Sequence, residues 1–166
     1  MANIILNGKT VVTQTGNDEP LIGGNVVFPA GHIVQVKQQL IEDRTTTAQT
    51  GDWQPTGHEI QITTTVNNSK IFFMGNFWGY GGEGLYTLYR NNTTNLSNYN
   101  RGFINIGGNV VQTISLMFLD QPNVSSQTTL TYTVYIKARG ATTVYIGLDV
   151  DATDKMSDQL TLMEIV

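Results

Sequence analysis

Acidic residues are densest between positions 149 and 158, where the sequence runs D-V-D-A-T-D-K-M-S-D. Asp149, Asp151 and Thr153 have the spacing of the first, third and fifth ligands of a calcium-binding loop. Such a loop needs Gly at its sixth position and a bidentate Glu at its twelfth, but Asp154 and Leu160 stand there. The EF-hand hypothesis therefore fails. Asp149, Asp151 and Asp154 stay candidates for a looser calcium site, and a solvated acidic turn is the alternative.

The other polar residues form no catalytic pattern. His32 and His58 lack metal-ligand spacing, no nucleophile elbow occurs, and both histidines are predicted to be surface or capping residues. The glycine-rich run at 79–84 lacks the Lys-Ser/Thr of a phosphate-binding loop, so it predicts a wide hairpin loop. The acids that a glycosidase would pair occur singly, at Glu42, Asp43, Asp52, Glu59 and Glu83. We predict a protein that is not an enzyme and binds no cofactor.

Aromatic residues and an arginine cluster around two long polar loops and are the strongest indication of recognition. Aromatic and Arg side chains dominate binding hot spots, and a flat ring also suits a sugar. The alternative is that half of these side chains fill the core or a subunit interface. The candidates for ligand or receptor binding are Trp78, Tyr80, Tyr86, Tyr89, Tyr99 and Arg101.

The totals limit the class of protein. The chain has 166 residues, a formal net charge of −4 and only 13% charged residues, and its Lys and Arg are scattered. The basic stripe of a nucleic-acid binder is missing, so no nucleic-acid partner is predicted. There is no cysteine, no run of apolar residues long enough to cross a membrane, and no basic region of a secretory signal near the start.

Alternation of apolar and polar residues predicts an all-β protein built as a sandwich. Between Leu130 and Arg139 every second residue is apolar, and the pattern resumes at 144–148 after Gly140, which predicts a hairpin. A second hairpin is predicted across positions 103–119. The run at 70–78 is apolar on both parities, which predicts a central strand or a strand at a subunit interface.

The first 27 residues are predicted to be a separate, short extended arm. Ile4-Ile5-Leu6 and Thr10-Val11-Val12-Thr13 flank Asn7-Gly8, the strongest short hairpin signal. We expect this arm to attach the protein to a neighbour, with a flexible leader as the alternative.

Several strand motifs carry a resemblance that covers roughly residues 28–166. They are Leu119-Asp120-Gln121-Pro122, Tyr132-Thr133-Val134-Tyr135-Ile136-Lys137-Ala138, Thr143-Val144-Tyr145-Ile146, Leu160-Thr161-Leu162-Met163-Glu164-Ile165, Phe28-Pro29-Ala30-Gly31-His32-Ile33-Val34-Gln35-Val36 and Ser69-Lys70-Ile71-Phe72. This stretch resembles the C-terminal head domains of structural proteins from tailed bacteriophages, marine phages especially.

The resemblance implies a jelly roll over 28–166, similar to the globular heads of complement and tumour-necrosis-factor proteins. It implies a homotrimer in which the closing strand runs through the middle of a sheet near the three-fold axis. The apolar C-terminus suits such a place, so Leu160, Leu162 and Ile165 are predicted at the trimer interface.

The predicted function is that of a virion structural protein on the particle surface. It would be a fibre, spike or capsid-decoration subunit, with the head outward and residues 1–27 bound to other virion proteins. One alternative is a lectin-like tail-fibre tip that recognises a host glycan, and another is an enzyme that degrades such a glycan. A secreted, non-viral trimeric binding domain is a further alternative.

Overall fold

Strands provide all the regular secondary structure in the part of the chain that the computed structural model describes. That part comprises residues 2–16, 21–22, 29–97, 99–108, 110–140, 142–147 and 157–166. The chain divides into two units, Met1–His32 and Ile33–Val166. The prediction of an all-β protein is confirmed.

The first unit contains an antiparallel three-stranded sheet in the order β1-β2-β3. Its strands are β1 (Ala2–Leu6), β2 (Lys9–Gln14) and β3 (Leu21–Ile22). Asn7 and Gly8 link the first two strands with φ angles of 49° and 77°. Two consecutive positive φ angles are what a type I′ turn needs, so the predicted Asn-Gly hairpin is confirmed.

The second unit contains eleven strands within its described residues. In chain order these are β4 (Ile33–Ile41), β5 (Thr45–Thr47), β6 (Gln54–Thr63), β7 (Lys70–Gly81), β8 (Glu83–Arg90), β9 (Thr94–Asn95), β10 (Ile104–Gly107), β11 (Gln112–Asp120), β12 (Thr129–Ala138), β13 (Val144–Ile146) and β14 (Asp158–Ile165).

These strands form two antiparallel sheets that pack face to face as a β-sandwich. The six-stranded sheet has the order β4-β14-β7-β13-β5, and β11 also pairs with β7. The five-stranded sheet has the order β10-β8-β12-β6, and β9 also pairs with β8. Strand β7 pairs with three others, so the prediction of a central strand at 70–78 is confirmed.

The core lies between the sheets and follows the period-two pattern of the sequence. Along β7 the inward residues Ile71, Phe73 and Phe77 are buried, and the residues between them are half-buried. Along β12 the inward apolar residues from Leu130 to Ala138 are all buried. Alternation therefore places one parity of each strand in the core.

The predicted hairpins inside the sandwich are wrong. Strands β12 and β13 lie in different sheets, as do β10 and β11 on either side of positions 108–111. The glycine-rich run at 79–84 likewise carries the chain from β7 in one sheet to β8 in the other. A glycine between two alternating runs indicates that the chain bends, but it does not specify whether the next strand pairs or crosses.

Gly81 has a physical reason at that crossing. Its φ is 134°, and a Cβ there would lie 2.6 Å from the Thr143 carbonyl oxygen. Only a residue without a side chain allows β7 to pass this close to the chain entering β13.

Candidate functional site

The six residues predicted to bind a ligand do not form one site. Tyr86 is fully buried, and its hydroxyl donates a hydrogen bond of 2.8 Å to the Tyr145 carbonyl oxygen. Burial raises the pKa of Tyr86 above its ordinary value. Tyr86 therefore belongs to the core, and its assignment to a surface site is wrong. The other five divide between the outer faces of the two sheets.

The outer face of the six-stranded sheet carries an apolar band. Residues directly opposite in antiparallel strands point to the same side, which aligns Val36, Met163, Phe72 and Leu119 across four strands, with Met74 and Met117 in the next row. The outermost members are largely exposed: Val36 by 54%, Met117 by 61% and Leu119 by 50%. Single exposed apolar residues are ordinary, whereas a large contiguous set is a feature that interaction surfaces share.

The same face continues into an aromatic platform, which consists of Trp78, Tyr80 and Tyr145. Tyr80 and Tyr145 are opposite each other on β7 and β13, with their ring centroids 5.6 Å apart. The Arg44 guanidinium lies 5.8 Å from the centre of the Tyr145 ring. Trp78 and Tyr80 are therefore brought together as the sequence predicted, and the structure adds Tyr145 and Arg44 to them.

The cover loop, residues 91–97 and 99–103, connects β8 to β10: its β9 pairs with the edge of β8, and Asn100 is bonded to Lys137 on the outer face of the five-stranded sheet. Leu85 and Thr87 point outward on β8, and yet they are only 3% and 0% exposed. The Thr87 hydroxyl donates to Asn95 Oδ1 at 2.8 Å, and Lys137 Nζ donates to the Asn100 carbonyl oxygen at 3.2 Å. These contacts attach the loop to two strands.

Aromatic rings lie beneath and beside this loop. Tyr89 stacks on Tyr135 with ring centroids 4.0 Å apart, and the Tyr135 hydroxyl bonds to Asn92 Oδ1 at 3.3 Å. Lys137 Nζ also lies 4.7 Å from the centre of the Trp53 ring. The predicted residues Tyr89, Tyr99 and Arg101 are thus all on this side of the sandwich, with Tyr99 and Arg101 exposed.

The trimer-interface prediction fails for two of its three residues. Strand β14 lies in the middle of the six-stranded sheet, as the resemblance implied, but Leu160 and Leu162 point inward and are fully buried within one chain. Ile165 is half-buried, opposite Ile33 and Lys70. Strand parity decides which residues face out: Met163 and Ile165 share the outward parity of β14, whereas Leu160 and Leu162 face inward.

His58 is neither a surface nor a capping residue, contrary to the prediction. It is fully buried, and its Nε2 lies 2.6 Å from Asp158 Oδ2, which joins β6 of one sheet to β14 of the other. The Trp78 N–H donates to Asp158 Oδ1 at 2.9 Å. His58 Nδ1 has no hydrogen-bond partner among the described residues. His32 is exposed, which agrees with the prediction.

Two further carboxylates are satisfied inside the sandwich. Arg90 Nη1 donates to both oxygens of Asp120, at 2.9 Å to Oδ1 and 2.7 Å to Oδ2. The Tyr132 hydroxyl also donates to Asp120 Oδ2, at 2.7 Å. Burial, followed by this hydrogen bond to Asp120, raises the pKa of Tyr132. The arrangement ties β11 to β8 and β12 and leaves no free carboxylate oxygen for a substrate.

Glu164 holds the turn after β6. Its carboxylate accepts from the Thr65 and Val66 N–H groups, from the Thr65 and Ser69 hydroxyls, and from Gln35 Nε2 at 2.6 Å. Burial alone would raise the pKa of Glu164, but the bonds from Gln35, Ser69, Val66 and Thr65 outweigh it and hold the pKa below its usual value. This carboxylate is structural.

The calcium candidates Asp149, Asp151 and Asp154 lie outside the described residues. Within the described residues, no group of three or more His, Asp or Glu could hold a metal ion. No helix there is long and apolar enough to cross a membrane.

Sequence reasoning missed half of each surface. Val36, Met117, Leu119 and Met163 went unnoticed because each strand was considered alone, and the band arises only when four strands are aligned. The available signal was that both parities of β7 are apolar.

No family model matches the chain, and no curated protein matches it.

Proposed function

We propose that the chain is a subunit of a homotrimeric structural protein displayed on the surface of a tailed-phage virion. The observation that carries this proposal is the apolar band on the outer face of the six-stranded sheet. The inward apolar residues of the central strand are buried in the core of one subunit. The outward ones lose water only when a neighbouring subunit covers them, so they are expected in an assembly subunit.

The strand order supports a jelly-roll architecture for the sandwich. The eight principal strands are β4, β6, β7, β8, β10, β11, β12 and β14. One sheet contains the first, eighth, third and sixth of these in spatial order, and the other contains the second, seventh, fourth and fifth. Two interleaved Greek keys of this kind make a jelly roll.

A second copy of the chain is the occupant that we propose for the band. Burial of apolar surface contributes about 25 cal/mol per Å², so covering six such side chains favours association by several kcal/mol. The band carries no charge, so it needs no complementary charged partner. Dimers are the commoner symmetry, and the resemblance to trimeric heads is the reason to propose three subunits.

The N-terminal residues 1–27 supply the proposed attachment to other virion proteins. Strand β1 is an edge strand whose apolar side chains Ile4, Ile5 and Leu6 are 56–63% exposed. An edge with unpaired backbone groups can add a strand from another chain. The head would then face outward from the particle.

Light scattering at micromolar concentration tests the assembly. The trimer mass is expected for the wild type, and Met117→Asp or Leu119→Asp should give monomers with an unchanged circular dichroism spectrum. Gln61→Asp is the control, because Gln61 is exposed on the outer face of the other sheet. A monomeric wild-type protein would contradict the proposal.

Cryo-electron microscopy of the native particle tests the location, and it also separates a tail fibre from a capsid decoration. Absence of the protein from purified virions would refute the virion assignment. If a chain that lacks residues 1–27 is incorporated as well as the full chain, the attachment role is wrong even where the head forms trimers.

A second candidate function is recognition of a host glycan by the head, as in a lectin-like tail-fibre tip. Two groups of partly exposed aromatic side chains support it, the aromatic platform and the residues around the cover loop. Both functions are non-enzymatic, and neither uses a cofactor.

A further inference from the structure

The tip of the cover loop is the turn formed by residues 99–102, and several hydrogen bonds hold it. The Gly102 N–H donates to the Tyr99 carbonyl oxygen at 3.0 Å, which closes a four-residue turn. The buried Ser97 hydroxyl bonds to both the Tyr99 carbonyl oxygen, at 3.1 Å, and the Tyr99 N–H, at 3.2 Å. On the far side of the turn, the Phe103 N–H donates to the Tyr86 carbonyl oxygen at 2.9 Å. Four hydrogen bonds therefore hold the backbone at Tyr99–Phe103.

Gly102 allows the turn to sit directly on the sandwich. Its φ is 69°, and a Cβ at this position would overlap the Tyr86 carbonyl oxygen and come within 2.7 Å of the Trp53 ring. Lys137 reaches the same place from below: its Nζ lies over the Trp53 ring and bonds to the Asn100 carbonyl oxygen. The tip thus rests on a rigid aromatic and cationic base.

The side chains of this turn point away from the base. Tyr99 is 76% exposed, although a Tyr ring is costly to leave in water. Asn100 and Arg101 are also exposed, and Arg101 has no ion-pair partner among the described residues. The chain has a net charge of −4, and yet this one turn presents an unpaired guanidinium and, two residues away, an exposed aromatic ring. Both groups are free to contact a ligand, and the turn that carries them is already held in place.

We propose that Tyr99, Asn100 and Arg101 form a binding site for a carboxylate-bearing saccharide. The guanidinium fork matches a carboxylate with two parallel hydrogen bonds. The Tyr99 ring provides a flat apolar surface for one face of the sugar ring, and the Asn100 amide offers a donor and an acceptor to its hydroxyls. Because the tip is held in place, the ligand does not have to order it on binding.

The size of the site favours a saccharide over an acidic protein. A stable protein interface buries at least about 1,000 Å² with an apolar centre, and one ring with one guanidinium does not provide that. Asn100 itself is exposed within the turn, and its amide suits a ligand covered with hydroxyl groups. The site specifies the ligand class for the glycan-binding function, and it does not rest on the virion or trimer proposals.

Chemical-shift mapping on the full-length protein tests this site with two matched pairs of probes. These are 3′-sialyllactose with lactose, and trigalacturonic acid with its methyl ester. We expect at least one acidic probe to bind at the tip, and its neutral counterpart to bind roughly tenfold more weakly or not at all. Binding should weaken as salt is raised, because the carboxylate contact is exposed.

Three variants locate the site. Arg101→Gln and Tyr99→Ala should each weaken binding of the acidic probe about tenfold or more, since each removes a principal contact. Arg139→Gln is the matched control: Arg139 is also an exposed arginine, but it lies near Glu83, 3.8 Å away, and binding should be unchanged. Because all three side chains are exposed, the variants should fold as the wild type does.

Three results would overturn the proposal: neither acidic probe binds, Arg101→Gln and Tyr99→Ala bind as well as the wild type, or hexaglutamate binds while the saccharides do not. Light scattering on the same samples keeps the two proposals apart. A trimer without saccharide binding contradicts only this site, and a monomer that binds the acidic probe contradicts only the assembly.

Discussion

The two outer faces of the sandwich differ in how far the chain itself covers them. On the five-stranded sheet, the outward residues Leu85 and Thr87 are buried, and the chain's own cover loop bonds to strand residues through Asn95 and Asn100. On the six-stranded sheet, no described segment of the second unit covers the apolar band, and Met117 is left 61% exposed. Within the described residues, the chain therefore covers the outer face of one sheet and leaves the apolar band on the other sheet exposed.

The difference separates the two functions proposed above: the open band would serve association, and the covered face carries the turn proposed to bind a saccharide. The open band is apolar and uncharged, which suits the interface of the symmetric assembly proposed above. The covered face spends its polar and charged groups on holding one loop in a fixed shape. A rigid loop is useful for recognition, whereas a bare apolar sheet is useful for association.

The largest expected effect comes from the two sides of β14. Leu162 faces the core and Met163 faces the band, although they are neighbours in sequence. Leu162→Asp places an unpaired charge in a dry site, so it should lower the free energy of unfolding by about 4–5 kcal/mol or more and leave little folded protein. Urea unfolding followed by circular dichroism measures this.

Met163→Asp is the matched variant on the outward side. It should change the free energy of unfolding of the subunit by about 1 kcal/mol at most, because the new carboxylate reaches solvent. Light scattering should nevertheless show that it no longer assembles. If Leu162→Asp folded but failed to assemble, or if Met163→Asp unfolded, the assignment of inner and outer sides would be reversed.

A smaller effect is expected at Glu164, which joins the two sheets at one end of the sandwich. Glu164→Gln keeps the shape but replaces a charged acceptor of several hydrogen bonds with a neutral amide, so the free energy of unfolding should fall by about 2–3 kcal/mol. Ser69→Ala removes only one of these bonds and should lower it by about 1 kcal/mol.

The contribution of Glu164 to the free energy of unfolding depends on pH. The pKa of Glu164 is lowered in the folded protein, so the folded state stabilises the ionised form. Its contribution is complete above the ordinary Glu pKa of about 4.3 and is lost as pH falls toward the lower folded value. Between the wild type and Glu164→Gln, the gap in melting temperature should shrink as pH falls below about 4. A constant gap would contradict the prediction.

Strand periodicity predicted much of the fold but little of the surface. Residues 130–138 were correctly predicted as a strand because apolar residues alternate there, and residues 70–78 as a central strand because both parities are apolar. Tyr86 and Leu162 were assigned to surfaces because sequence alone does not say which parity faces inward. The partner of His58 is a hundred residues away, at Asp158, so no local pattern could have indicated that pair.

A more local test of the covered face is Gly102→Ala. The positive φ and the overlap with the Tyr86 carbonyl oxygen should lower the free energy of unfolding by about 1–3 kcal/mol. Hydrogen exchange at the Phe103 N–H should accelerate, while assembly should be unaffected. Gly108→Ala is the control: its φ is also positive, at 88°, but the nearest atom to its Cβ is 3.8 Å away, so its cost should be smaller.

The smallest expected effect concerns the charge beneath the cover loop. Lys137→Met keeps the aliphatic stem but removes the ammonium group over the Trp53 ring and its bond to the Asn100 carbonyl oxygen, so the free energy of unfolding should fall by about 0.5–1 kcal/mol. Lys137→Arg should retain most of the stability, since a guanidinium can also lie over an indole. A double-mutant cycle with Trp53→Leu separates the ring contact from the bond to the loop. A coupling energy of zero would mean that the loop is held by its hydroxyl and amide bonds alone, and the contrast between the two faces would then depend on those polar contacts rather than on the Lys137 ammonium over the Trp53 ring.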